Sequence, residues 1–136
     1  MHILFVDDIA DTRHLFSMAF VLAGHRCQTA ADAFEGLNLL RRTGGEPFDA
    51  AVLDMHMAGM DGMEMLRQIK LMPETQHVVI IMHTAYHTPE IEKKAKDAGA
   101  YACLHKPILT PDLIDVVESA VERSRRERQQ NPSEPG

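Results

Sequence analysis

Short apolar runs alternate with longer segments in which apolar residues recur every three or four positions, and the alternation repeats five times along the chain. The first kind of run reads as a buried strand and the second as an amphipathic helix. The pattern predicts strands over 2–6, 25–29, 50–53, 78–83 and 102–105. The second of these is the most polar, which suits an edge position, whereas central strands of a sheet covered on both faces are apolar throughout. In the first helix Leu15, Met18, Ala19 and Leu22 form the expected buried stripe, and Gly24 stands where the helix stops. The second carries Ala33, Leu37 and Leu40 and ends near Gly44 and Gly45; the third carries Met63, Leu66 and Ile69 before Pro73. The fourth, over 89–98, has only Ile91, Ala95 and Ala98 on its apolar face and should be the most easily moved. The fifth opens with Thr110 as N-cap and Pro111 at the first helical position, then buries Leu113, Val116, Val117, Ala120 and Val121.

Strands alternating with helices predict an α/β fold, a doubly wound parallel sheet of five strands with five helices on its two faces. A length of 136 residues, 45% of them apolar, is enough for one core and one domain. That domain is expected over 1–121. Residues 122–136 then form a C-terminal helix extension, with Arg123, Arg125, Arg126 and Arg128, and a flexible polar tail from Gln129 onward.

A formal net charge of −6 argues against direct binding to nucleic acid or to an anionic membrane. The first residues lack the basic start and long apolar run of a signal peptide, and no apolar stretch is long enough for a bilayer span. Cys27 and Cys103 have no partner at disulfide or zinc-ligand spacing. A cytoplasmic protein with core thiols is the expectation.

In a doubly wound sheet the ligand site lies at the carboxyl ends of the strands. Asp7 and Asp8 follow the first strand, Asp54 the third, Thr84 the fourth and Lys106 the fifth. Two carboxylates about 4 Å apart repel by roughly 4 kcal/mol at an effective dielectric of 20, so three of them require cations. Lys106 supplies one positive charge and a divalent ion the rest; an all-oxygen donor set suits Mg²⁺. Such a set fits phosphoryl transfer, in which positioning and charge neutralisation carry most of the catalysis. Asp54 takes the role of nucleophile, Asp7 and Asp8 that of metal ligands, and Lys106 and Thr84 those of partners to the phosphoryl oxygens.

These positions, with Thr84–Ala85, Lys106–Pro107, Asp61–Gly62 and Gly99–Ala100, resemble the motif set of the response-regulator receiver family over residues 2 to about 121. The resemblance implies the flavodoxin-like strand order 2-1-3-4-5, the His56 carbonyl as a further metal ligand, and a cis bond between Lys106 and Pro107. It also implies a two-component phosphorelay. A histidine kinase or histidine phosphotransfer protein would donate the phosphoryl group to Asp54, docking near Ile9, Arg13, His14 and Ile108. The output face would be the fourth helix, fifth strand and fifth helix, read by a downstream protein, with the chain a monomer or a phosphorylation-dependent dimer. On this reading the protein is a phosphoacceptor switch, not a turnover enzyme. Two positions depart from the family pattern: Ala58 stands where Pro is usual, and Cys103 where an aromatic residue is usual.

Taken singly, each of these residues has a plainer reading: the acidic pair as helix-start decoration, Asp54 as a turn residue, Thr84 as a cap, Lys106 as a surface lysine. Their convergence on one sheet edge favours the site. Ala58 and Cys103 are the support for a phosphorylation-independent interaction module. A dehalogenase-type phosphatase needs a second Asp two residues after the nucleophile, where His56 stands. Of the histidines near the site, His83 and His105 precede Thr84 and Lys106, so strand alternation turns them to the other side. The methionines at 55, 57, 60, 63 and 65 read as core filler or loop lining.

Overall fold

The computed structural model describes residues 1–42 and 44–130. Its elements run β1 (His2–Val6), α1 (Ala10–Leu22), β2 (Arg26–Ala30), α2 (Ala33–Arg41), β3 (Ala50–Asp54), α3 (Gly62–Leu71), β4 (Val79–Thr84), α4 (Pro89–Asp97), β5 (Ala102–His105) and α5 (Thr110–Gln130). The five strands pair in parallel in the order β2-β1-β3-β4-β5. All ten expected elements are present in the expected order, although α2 ends at Arg41, short of Gly44 and Gly45, and β3 runs one residue further, to Asp54. β2 and β4 start and end one residue later than expected, so that Thr84, like Asp54, is the last residue of its strand.

Each sheet face carries its own core. Leu4, Val6, Leu53, Ile80 and Met82 pack with α2, α3 and α4 through Leu37, Met65, Leu66, Ile69 and Ala95. On the opposite face Ile3, Phe5, Val52 and Ile81 pack with α1 and α5 through Phe16, Phe20, Leu113, Val117 and Ala120. β1, β3 and β4 are buried along their whole length, as the alternation-free apolar runs require. β2, at the edge, alternates between exposed and half-buried residues before Ala30.

Two expectations about helices are corrected. α1 buries Phe16 and Phe20, while Leu15, Met18 and Leu22 of the expected stripe lie outside at 57%, 52% and 85% exposure. The helix is apolar on most of its circumference, and the two aromatic rings at i and i+4 take the core, with Phe16 stacked on Phe5 at 5.0 Å. In α5 the Leu113 N–H donates to the Leu109 carbonyl at 3.1 Å, so Leu109 holds the capping position and Thr110 the first helical one. In α2, α3 and α4 the caps follow the chemistry of short polar side chains: Asp32, Asp61 and Thr88 accept from the N–H groups of Glu35, Glu64 and Ile91, whereas α1 starts after Ile9 without a side-chain cap. α5 continues without a break to Gln130, taking in the four arginines and Gln129. The rest of the expected polar tail, 131–136, lies outside the described residues. No helix among the described residues is long and apolar enough to cross a membrane.

Candidate functional site

β1 and β3 are neighbours, so the residues at their carboxyl ends arrive side by side. Asp7 is fully buried and Asp54 is 5% exposed, while Asp8 faces outward. One oxygen from each of Asp7, Asp8 and Asp54 lies within 4.8 Å of the other two, the single grouping of acidic, His or Cys side chains among the described residues with that geometry. The chain bends at both buried aspartates so that each carboxylate accepts an N–H two residues on: Ile9 to Asp7 Oδ1 at 2.9 Å, and His56 to Asp54 Oδ1 at 3.1 Å. The other oxygen of each, Oδ2, is turned to the shared site. A cluster of hard, negatively charged oxygens is a donor set fitted to a divalent cation such as Mg²⁺ or Ca²⁺.

Lys106 reaches this cluster from the end of β5. Its Nζ donates to Asp54 Oδ2 at 2.9 Å and to Asp7 Oδ2 at 3.3 Å. Burial alone lowers its pKa, but the hydrogen bonds and negative charges of Asp54 and Asp7 outweigh that and raise it above the ordinary lysine value, so the ammonium stays charged. Its backbone is fixed as well: the Lys106 N–H donates to the Thr84 carbonyl at 2.8 Å, and the Lys106–Pro107 bond is cis, as the resemblance implies. Thr84 is fully buried. Its Oγ accepts from the Tyr86 N–H at 3.1 Å, and the hydroxyl keeps its own proton as a donor.

The backbone that follows Asp54 is held on both sides. The Met55 N–H donates to the His83 carbonyl, and the Gly62 N–H to the Met55 carbonyl, each at 3.0 Å. A Cβ on Gly62 would stand 2.3 Å from the Asp54 carbonyl oxygen, so only glycine lets α3 start this close to the end of β3.

His83 is placed differently from expectation. Its side chain does leave β4 on the opposite face from Thr84, beside the Phe5 ring at 5.7 Å, but that face passes directly beneath the site. Its Nε2 is 3.9 Å from Asp7 Oδ2 and, among the described residues, is the one buried side-chain nitrogen or oxygen without a hydrogen-bond partner. A buried polar atom left unpaired costs about 1–3 kcal/mol. Burial first, and then the charge of Lys106, push its pKa down to about 4 against the opposing pull of Asp7, so the imidazole is neutral at physiological pH. The signal in the sequence is a histidine next to the end of an otherwise apolar strand.

The remaining expected residues are distributed around this rim. The His56 imidazole is exposed and meets the Tyr86 ring edge-on at 5.2 Å. His105 is exposed and stacks on His87 at 5.9 Å. Arg13 Nη1 donates to the Asp7 carbonyl at 2.8 Å, tying α1 to the site, while His14 is exposed. A cleft of about 290 Å³ lies beside the cluster, with Ile9, Leu15, Ile108 and Pro107 on its walls and Lys106 and His83 at its inner end. Met55, Met57 and Met65 are core residues; Met60 and Met63 pack against them. Ala58 is exposed in the loop after β3, and Cys103 is buried in the core on the α4 side.

Residues 3–118 match the family model described as response regulator receiver domain. The chain belongs to that family. Over 128 residues it is 30% identical to the sensory/regulatory protein RpfC of Xanthomonas campestris, a match that covers 93% of this chain and 17% of that protein. It therefore spans about a sixth of the length of that relative. It is 32% identical to sporulation initiation phosphotransferase F of Bacillus subtilis over 116 residues, which covers 85% of this chain and 90% of the relative. Among solved structures, chemotaxis protein CheY4 of Vibrio cholerae superimposes with a TM-score of 0.80 at 28% identity, covering 88% of this chain and 97% of that one. This receiver domain thus has the five-stranded order and five helices of its CheY-like neighbours, and its acidic pocket of Asp7, Asp8 and Asp54 fits the phosphorylation site of a phosphoacceptor.

Proposed function

We propose that Asp54 is the phosphoacceptor of this receiver domain and that Asp7, Asp8, Asp54 and the His56 carbonyl hold Mg²⁺ beside it. The observation that carries this reading is the Lys106 ammonium bridging Asp54 at 2.9 Å and Asp7 at 3.3 Å, with an Asp8 oxygen in the same small volume. When bound, the divalent ion neutralises the carboxylates and the oxygens of the incoming phosphoryl group. An Asp54 oxygen attacks phosphorus, the bond from phosphorus to the donor's imidazole nitrogen breaks, and the imidazole takes up a proton as it leaves. Lys106 turns from the carboxylates to one phosphoryl oxygen, and the Thr84 hydroxyl donates to another. Later attack by water on phosphorus breaks the new bond to Asp54 and resets the domain.

The donor is a histidine kinase or a histidine phosphotransfer protein, docking over the cleft at Ile9, Arg13, His14 and Ile108. RpfC is named as a sensory/regulatory protein and the Bacillus relative as a phosphotransferase, which supports partners of this kind and onward phosphotransfer as one output. The domain, residues 1–121, works as a cytoplasmic switch without turnover of an external substrate, read by a protein target at α4, β5 and α5 as monomer or phosphorylation-dependent dimer. Charge-assisted hydrogen bonds contribute roughly 1.5–3 kcal/mol each, so the contacts of Thr84 and Lys106 together approach the roughly 5.5 kcal/mol that takes a two-state equilibrium from 1:99 to 99:1.

Incubation with acetyl phosphate and Mg²⁺ is expected to add the mass of one phosphate. That gain should vanish with a chelator and in Asp54→Asn. A phosphate that persists in Asp54→Asn, or that forms equally well with the chelator present, refutes the assignment.

A further inference from the structure

The phosphoryl chemistry above uses every polar group that converges on the cluster except the His83 imidazole. The Phe5 ring lies 5.7 Å from its own, and Ile9, Phe16, Thr12 and Lys106 line the same cleft. Its Nε2 has no hydrogen-bond partner, and Asp7 Oδ2 lies 3.9 Å from it. That oxygen is buried too, and its present donor is Lys106, whose shorter contact is with Asp54. Asp7 Oδ1 is already held by the Ile9 N–H. When Lys106 turns toward a phosphoryl oxygen, Oδ2 still faces the cation site but loses its hydrogen-bond donor, and Asp7 has no exposed surface from which to recruit another. A movement of less than 1 Å brings Nε2 into hydrogen-bond range of it.

We propose that His83 is a positioning residue: as the neutral Nε2–H tautomer it donates to Asp7 Oδ2 when Lys106 leaves, and so keeps Asp7 aimed at the cation site in the phosphorylated state. The inference rests on the phosphoacceptor reading of Asp54. It gives the domain a built-in exchange of donors, in which the orphaned nitrogen of the resting state becomes a partner of the activated one. His83 touches neither the phosphoryl group nor its donor and acts through Asp7 alone.

Nitrogen-15 spectra of the histidine rings, recorded on the whole chain near neutral pH with and without beryllofluoride and Mg²⁺, test this directly. His83 is expected to be protonated at Nε2 in both states. On addition of beryllofluoride its Nε2 proton should move downfield and exchange more slowly with water. A ring protonated at Nδ1, or an Nε2 proton that does not move while the Lys106 and Thr84 signals do, overturns the proposal alone. Native protein that fails to respond to beryllofluoride overturns the phosphoacceptor reading along with it. Calorimetric titration of Mg²⁺ in the presence of beryllofluoride gives a second readout: His83→Leu should weaken binding about tenfold, and His83→Gln, which keeps an N–H donor, should stay within about threefold of native. Equal affinities for native protein and His83→Leu would also overturn it.

Discussion

Gly62 and His83 are the two residues whose side chains, one missing and one unpartnered, say most about how tightly the site is built. At Gly62 the Asp54 carbonyl occupies the space a Cβ would need. Gly62→Ala is therefore expected to lower stability by about 2–4 kcal/mol or to move Asp54 off its position, and a urea titration with a Mg²⁺ binding assay distinguishes the two. At His83 the consequence is a dependence of stability on pH in protein freed of divalent ions. The folded-state pKa is down to about 4 while the unfolded chain keeps the ordinary 6.5, so between these values the unfolded chain binds more protons and stability rises with pH. The contribution is complete above pH 6.5 and is lost as pH falls toward 4, at most on the order of 3 kcal/mol. Denaturant titrations across that window should show the slope in native protein and a shallower one in His83→Leu. The candidate site was legible in the sequence because Asp7, Asp8, Asp54, Thr84 and Lys106 all stand at strand ends. His83 was not, because period-two alternation gives the face a side chain leaves from but not what bends over that face at the end of the sheet.

Among the elements, α1 and α4 depart in opposite ways from the ordinary amphipathic helix. α1 has more apolar surface than it buries, since Leu15, Met18, Val21 and Leu22 are exposed alongside the buried Phe16 and Phe20. Helical periodicity alone could not choose between the two stripes; side-chain size did, because the aromatic rings fill the space over Phe5. The strands were easier to read. Continuous apolar runs have no face to mistake, and their bounds moved by a single residue in β2, β3 and β4. α4 buries only Ala95 fully and relies for the rest on partly buried Ile91 and Ala98. Amides of α4 are expected to exchange with solvent at least about tenfold faster than those of β3 and β4, as hydrogen exchange read by mass spectrometry would show. Equal protection would contradict the expectation that α4 is the most easily moved helix.

At the scale of the molecule, two cores on opposite faces of one sheet leave a single rim where β1, β3, β4 and β5 end together. Lys106 is the cross-link of that rim, since its contacts with Asp7 and Asp54 span 99 and 52 residues of chain. Lys106→Met should cost about 1–3 kcal/mol at neutral pH, between the values for exposed and for fully buried pairs because the lysine is partly exposed. Mg²⁺ should restore more stability to this variant than it adds to native protein, measured as the shift in Tm.

The whole account depends on where the phosphate goes. After reaction with acetyl phosphate and Mg²⁺, borohydride reduction converts an aspartyl phosphate to homoserine, and peptide mapping locates it. Homoserine at position 54 and nowhere else is the expected result; homoserine at Asp7 or Asp8, or no conversion in protein that has gained a phosphate, would contradict the account.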